Sequence, residues 1–128
     1  MVAEADRFFD SFPVEMKAVR RELPEMVKAF GALFHSAMGP GELDVREKEL
    51  IALGIAVALR CVPCINTHTE KCVQAGASRQ QVLEAAAVAV VMQGGPTYSH
   101  LPHVLDALDA LENRQTKSEK VPTLHGDD

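Results

Sequence analysis

A chain of 128 residues with 47% hydrophobic and 24% charged side chains fits one globular domain, long enough to bury a core of useful size. A net charge of −5 supplies no basic field to gather phosphates, which argues against nucleic acid as a partner. The longest apolar runs, 50–59 and 85–92, are too short to span a bilayer, so no membrane association is expected.

Residues 4–21 carry an amphipathic pattern interrupted at Pro13. A second helix is predicted from Pro24, a first-turn proline, to Met38, stopping at Gly39-Pro40. Asp44 and Glu47 form a capping box for a third helix that continues through Ala58 or Arg60. Pro63 is acceptable only in a first turn, so the chain breaks near Cys61 and starts a fourth helix, ended at Ala75-Gly76. Ser78 and Gln81 cap a fifth helix that ends at Gly94-Gly95-Pro96, and a sixth covers Tyr98 to Leu111. Residues 113–128 lack an apolar stripe and read as a mobile tail after a helical domain over 1–112.

No run alternates with a period of two, so the fold class is all-α: a single-domain bundle of about six helices. The broad apolar faces of the third and fifth helices point to burial against other subunits as well as the monomer core, hence a homo-oligomer. The acidic N-terminus lacks the layout of a signal peptide, which favours a cytoplasmic protein. There, a close cysteine pair means redox chemistry or metal more often than a structural disulfide, and three cysteines make a poor disulfide scaffold.

The segment from Cys61 to His68, CVPCINTH, is the informative part of the chain. Cys61 and Cys64, three apart at a helix start, can form a disulfide within one turn, and the free amides and dipole there stabilise a thiolate. His68 lies one turn after Cys64 on the same face, and imidazole exchanges protons near neutral pH, so it can take the thiol proton directly or through a water. A cysteine beside a base is the general form of an activated nucleophile. Glu49 shares a stripe with Val45, Leu53 and Ala56, and a carboxylate partly buried there is suited to pass a proton. A plain antiparallel hairpin leaves Glu49 several ångströms beyond the level of His68, a gap only helix crossing can close.

Other readings compete. Cys61, Cys64 and His68 supply three zinc ligands, with His35, His100, His103 or Cys72 available as a fourth, but no second CxxC or HxxxH accompanies them. Covalent haem needs a histidine where Ile65 stands, and the βαβ framework of thioredoxin is missing. Gly94-Gly95 is a helix terminator and resembles no phosphate loop, so neither cofactor nor metal is expected. Cys72, on the stripe of Cys64 and His68, reads as a small core residue; His100 and His103 read as helix-start or interface residues, and His35 is a weaker candidate still.

Glu49, eleven residues, Cys61-Val62-Pro63-Cys64, three residues, His68: this run resembles the signature of the alkylhydroperoxidase D (AhpD)-like branch of the carboxymuconolactone decarboxylase family. Leu43-Asp44, Glu49-Leu50-Ile51-Ala52-Leu53, Gly76-Ala77-Ser78 and Gly94-Gly95-Pro96 fit as well, and the resemblance covers roughly residues 24–112. It implies an all-helical fold assembled as trimers or hexamers, and a peroxidase cycle on a hydroperoxide substrate. A dithiol reductant, a lipoyl adaptor or a thioredoxin-like protein, would close the cycle. Carried over by position, Cys64 is the attacking thiol, Cys61 the resolving one, and His68 and Glu49 a proton relay; helix-start electrostatics alone also favours Cys61 as the thiolate. The chain departs from AhpD in carrying Pro63 where AhpD has a second histidine, and in having one copy of the helical unit. Two alternatives to peroxide reduction remain: a decarboxylase acting on a lactone acid, which needs no vicinal dithiol, and a non-enzymatic assembly that binds zinc or senses redox state.

Overall fold

The structure, a computed structural model, describes residues 4–120. Its helices are α1 (Glu4–Glu22), α2 (Pro24–Met38), α3 (Val45–Ala58), α4 (Val62–Gln74), α5 (Arg79–Gln93), the four-residue α6 (Gly95–Tyr98) and α7 (Leu101–Lys120), with no strand among the described residues. The all-α expectation holds, as six long helices and one short turn.

Local chemistry sets the boundaries. Asp44 accepts from the Glu47 amide at 2.7 Å while the Glu47 carboxylate accepts from the Asp44 amide at 3.0 Å. Ser78 and Gln81 repeat the arrangement at 3.1 and 2.9 Å. Each box satisfies amides that the first helical turn leaves without partners. Gly76, at φ 92°, closes α4: its amide donates to the Val73 carbonyl and that of Ala77 to the Cys72 carbonyl, a Schellman ending that needs a left-handed residue.

Three expectations are corrected. α1 runs unbroken through Pro13, which is exposed, so the Phe9 carbonyl left without a helical partner can turn to water. The expected sixth helix begins later than Tyr98: a short α6 occupies Gly95–Tyr98, over the expected break, and α7 begins at Leu101, because Pro102 lacks an amide and belongs in a first turn. α7 continues to Lys120, where a tail was expected from 113. Polar contacts replace the missing stripe: Arg114 Nε meets Asp6 Oδ1 at 3.0 Å and Nη2 meets Asp10 Oδ1 at 2.6 Å, tying α7 to α1. Glu112 pairs with Arg79 at 2.9 Å. The remainder of the predicted tail, 121–128, lies outside the described residues.

Leu53 and Val57 of α3, Ile65 and Cys72 of α4, Val82 and Ala86 of α5, and Val104 and Leu108 of α7 form the core. Small aliphatic side chains at the centre bring these helix axes close together. A second cluster of Ala5, Ala107 and Ala110, with Phe9 against it, docks α1 on α7. α2 is different. It buries none of its residues, and its C-terminal end is held by Lys48, whose ammonium donates to the carbonyls of Ala37 at 3.0 Å and Gly39 at 2.6 Å. Ile51 and Ile55 of α3 and Val88, Val91 and Met92 of α5 are exposed, and a cleft of about 410 Å³ runs between the two helices there.

Candidate active site

The site begins where α3 ends, in a turn without a glycine. Arg60 adopts φ 57°, its amide donating to the Val57 carbonyl at 2.9 Å while that of Cys61 donates to the Ala56 carbonyl at 3.2 Å, again a Schellman ending. A left-handed conformation costs an ordinary residue about 1–2 kcal/mol, held here by these bonds and by the immediate start of α4. Cys61 is therefore both the last residue of one helix ending and the N-cap of the next, its Sγ accepting from the Cys64 amide at 3.3 Å. Pro63 sits in the first turn, as the sequence requires. Cys61 and Cys64 stand at disulfide distance with a Cα separation of 5.2 Å, inside the span a disulfide needs. Both are half-buried.

α3 and α4 cross so that the gap left by a simple hairpin closes. His68 Nδ1 lies 2.7 Å from Glu49 Oε2. Glu49 is 3% exposed, whereas the His68 side chain keeps 19% of its surface. A carboxylate accepts, so with Glu49 as the acceptor Nδ1–H donates to it and Nε2 keeps its lone pair free. Charge-assisted hydrogen bonds of this kind strengthen when water is kept away. The structure thus joins Glu49 to His68 and Cys61 to Cys64, on consecutive helices, with His68 one turn from Cys64.

Cys72, two turns beyond Cys64, is a fully buried free thiol. Burial, with the Glu49 charge adding to it, pushes this thiol up to about 12, so it stays protonated and packs as a core residue. His100 donates from Nδ1 to the Pro96 carbonyl at 2.7 Å and lies beside His103, the ring centres 5.4 Å apart, at the α6–α7 turn. His35 lines a cavity of about 540 Å³ between α2, α3 and α4, which Phe34, Glu49 and Lys71 also line. Among the described residues, no three His, Cys, Asp or Glu side chains are grouped to hold a metal ion.

Sequence reasoning missed two residues. Phe34 of α2 faces the His68 ring, centres 6.4 Å apart and planes 23° from parallel, and the Lys71 ammonium sits 4.9 Å from the Phe34 ring centre. Nothing in the residue pattern of α2 names a partner on α4 for Phe34.

The model of the carboxymuconolactone decarboxylase family matches residues 24–113. The chain belongs to this family. A family member of known structure from Legionella pneumophila is 34% identical, with a TM-score of 0.76 over 86% of this chain and 96% of its own. Another, from Thermotoga maritima and described as "possibly involved in antioxidative response", is 32% identical, with a TM-score of 0.76 over 89% of this chain and 97% of its own. The "Uncharacterized protein 4 in cox locus" of Paracoccus denitrificans is 37% identical over 84 residues, 66% of this chain and 76% of that protein. A Cupriavidus necator protein is 33% identical over 94 residues, 73% of this chain and 83% of its own length.

Proposed function

We propose that this family member is a thiol-dependent hydroperoxide reductase of the AhpD-like kind, with Cys61 and Cys64 as its redox pair and Glu49–His68 as its proton relay. The observation that carries the reading is the 2.7 Å Glu49–His68 hydrogen bond one helical turn from a cysteine pair at disulfide distance. A dithiol pair and a buried carboxylate–imidazole couple are the parts that reversible thiol oxidation needs, and a decarboxylation needs no vicinal thiols. The antioxidative response named for the Thermotoga relative agrees with this reading.

In the proposed cycle His68 Nε2 takes the Cys64 thiol proton, and Glu49 stabilises the resulting imidazolium. The thiolate attacks the terminal oxygen of a hydroperoxide; an S–O bond forms, the O–O bond breaks, and the alkoxide leaves as alcohol with the proton held by His68. Cys61 then gives up its thiol proton, taken by the again neutral His68, and attacks the Cys64 sulfenic acid; the S–S bond forms, the S–O bond breaks, and the hydroxide leaves as water with that proton. A dithiol reductant then exchanges with the Cys61–Cys64 disulfide: its two electrons and two protons restore both thiols, and the reductant leaves as its own disulfide. The Cys64 amide at the Cys61 sulfur would steady a Cys61 thiolate for the second step.

The reductant is proposed to be a lipoyl group or a thioredoxin-like protein, and the working form a homo-oligomer, trimer or hexamer, packed through the exposed apolar faces of α3 and α5. The exposed Ile51, Ile55, Val88, Val91 and Met92 support the second statement, since a face of that composition is poorly suited to water. Light scattering is expected to give a multiple of the 13.9 kDa chain; a monomer at micromolar concentration contradicts it. For the activity itself, cumene hydroperoxide consumption is followed with dihydrolipoamide as reductant. Turnover that disappears in Cys64→Ser supports the reading, and wild-type consumption no faster than the protein-free control sinks it.

A further inference from the structure

We infer that Phe34 is a positioning residue that holds the His68 imidazole in place and keeps water off the Glu49–His68 hydrogen bond, with the Lys71 ammonium helping to fix the Phe34 ring. The inference deepens the proposed relay and rests on that reading for its catalytic meaning, though its structural part stands alone.

Three observations converge on it. His68 is 19% exposed although its partner Glu49 is 3% exposed, so the bond sits at the boundary between interior and water. On the α2 side of that boundary lies the cavity of about 540 Å³, whose walls include Glu49, Phe34 and Lys71. Glu49 is therefore next to space that water can fill, and Phe34 borders both this space and the imidazole. The ring separation of 6.4 Å at 23° is within the range of offset aromatic stacking, which restrains imidazole rotation. The Lys71 ammonium, 4.9 Å from the Phe34 centre, is within cation–π reach. His68 and Lys71 are three residues apart on α4, so both side chains meet Phe34 from one helix face.

The placement of α2 gives the contact its significance. α2 buries no residue of its own, and Lys48 clasps its C-terminal end through the carbonyls of Ala37 and Gly39. The clasp fixes the helix end that carries Phe34, and Phe34 in turn meets the relay. A helix with no buried residue of its own is thereby coupled to the Glu49–His68 hydrogen bond. Replacing Phe34 with a small residue opens the bond to the cavity while leaving every core side chain in place.

The test uses full-length protein labelled with 15N-histidine, the His68 resonances being identified by comparison with His68→Gln. Wild type is expected to show a slowly exchanging, downfield His68 Nδ1–H, the signature of a carboxylate-bound imidazole. Phe34→Ala is expected to lose it to solvent exchange with the helical circular dichroism unchanged. Phe34→Leu, which keeps apolar bulk, is expected to retain it, and Lys71→Met to show an intermediate exchange rate. Peroxide turnover should fall roughly tenfold in Phe34→Ala and recover in Phe34→Leu, as for a misplaced catalytic group. If Phe34→Ala is poorly folded, the order wild type, Lys71→Met alone decides: faster exchange supports the inference. A His68 Nδ1–H that exchanges equally fast in wild type and in the folded variants overturns it. That result leaves the peroxidase reading intact, and an inactive wild type with a protected Nδ1–H does the reverse.

Discussion

Cys64 and Cys72 stand two turns apart on α4, near the same face, and their surroundings could hardly differ more. Cys64 is half-buried in the first turn, beside a second sulfur and one turn from an imidazole, where unpaired amides and the helix dipole favour negative charge. Cys72 is fully buried in the last turns, near the Glu49 carboxylate, where both desolvation and charge oppose ionisation. In the proposed cycle, one helix thus holds a thiol that reacts and a thiol that packs. Position along the helix, set by the Pro63 restart, decides which is which.

The largest test of this contrast is loss of activity. Cys64→Ser and Cys61→Ser are each expected to reduce dithiol-driven peroxide turnover to background, whereas Cys72→Ala leaves it close to wild type. Equal losses at all three positions would erase the distinction between the two ends of the helix. Next comes the relay: Glu49→Gln keeps the shape but removes the charge that orients and stabilises protonated His68, and should cost about 10²-fold in turnover. Steady-state kinetics of the purified variant checks this, and an unchanged rate would detach Glu49 from the chemistry.

A smaller effect concerns the buried thiol. In oxidised protein, where Cys61 and Cys64 do not titrate, the folded state keeps the Cys72 proton up to about pH 12 while the unfolded chain loses it near the ordinary thiol value of 9.0. Folding then binds more protons than unfolding across that window, so stability falls as pH rises from 9 toward 12, by at most about 1.4 kcal/mol per pH unit. Urea melts of wild type and Cys72→Ala should converge in slope below pH 9 and diverge above it, with the variant less sensitive. Parallel curves would mean the thiol is more exposed than its zero accessible surface indicates. Smallest of all is the stability change in reduced Cys61→Ser. Serine is a preferred N-cap, so the helix start is kept and the change should be within about 0.5 kcal/mol even though activity is lost. A large destabilisation would show that the sulfur holds α4 in a way an oxygen cannot.

Much of this arrangement was legible in the sequence because the signals were local. Asp44 with Glu47, Ser78 with Gln81, Pro24 and Gly76 each mark a boundary through contacts within a few residues. The CxxC and His68 were readable for the same reason, lying within eight residues of one helix start. The pairing of Glu49 with His68 depended on a crossing angle, which no residue pattern encodes, although the stripe of Val45, Leu53 and Ala56 foretold the burial of Glu49. The left-handed Arg60 carried no glycine or asparagine to announce it. The long α7 was missed because Asp6, Asp10 and Arg79 hold it from distant parts of the chain, leaving only a polar segment to read. Phe34 was missed for the complementary reason: a residue that looks like ordinary helix stripe meets its partner through tertiary placement alone.

The most direct test of the account is a thiol count. Fully reduced protein is mixed with tert-butyl hydroperoxide, and free thiols are titrated under denaturing conditions as the reaction proceeds. The account predicts rapid loss of two of the three thiols in wild type, loss of both remaining thiols in Cys72→Ser, and a trappable sulfenic acid on Cys64 in Cys61→Ser. Three thiols persisting at excess peroxide would contradict it, and the Cys61–Cys64 pair would then need another chemistry.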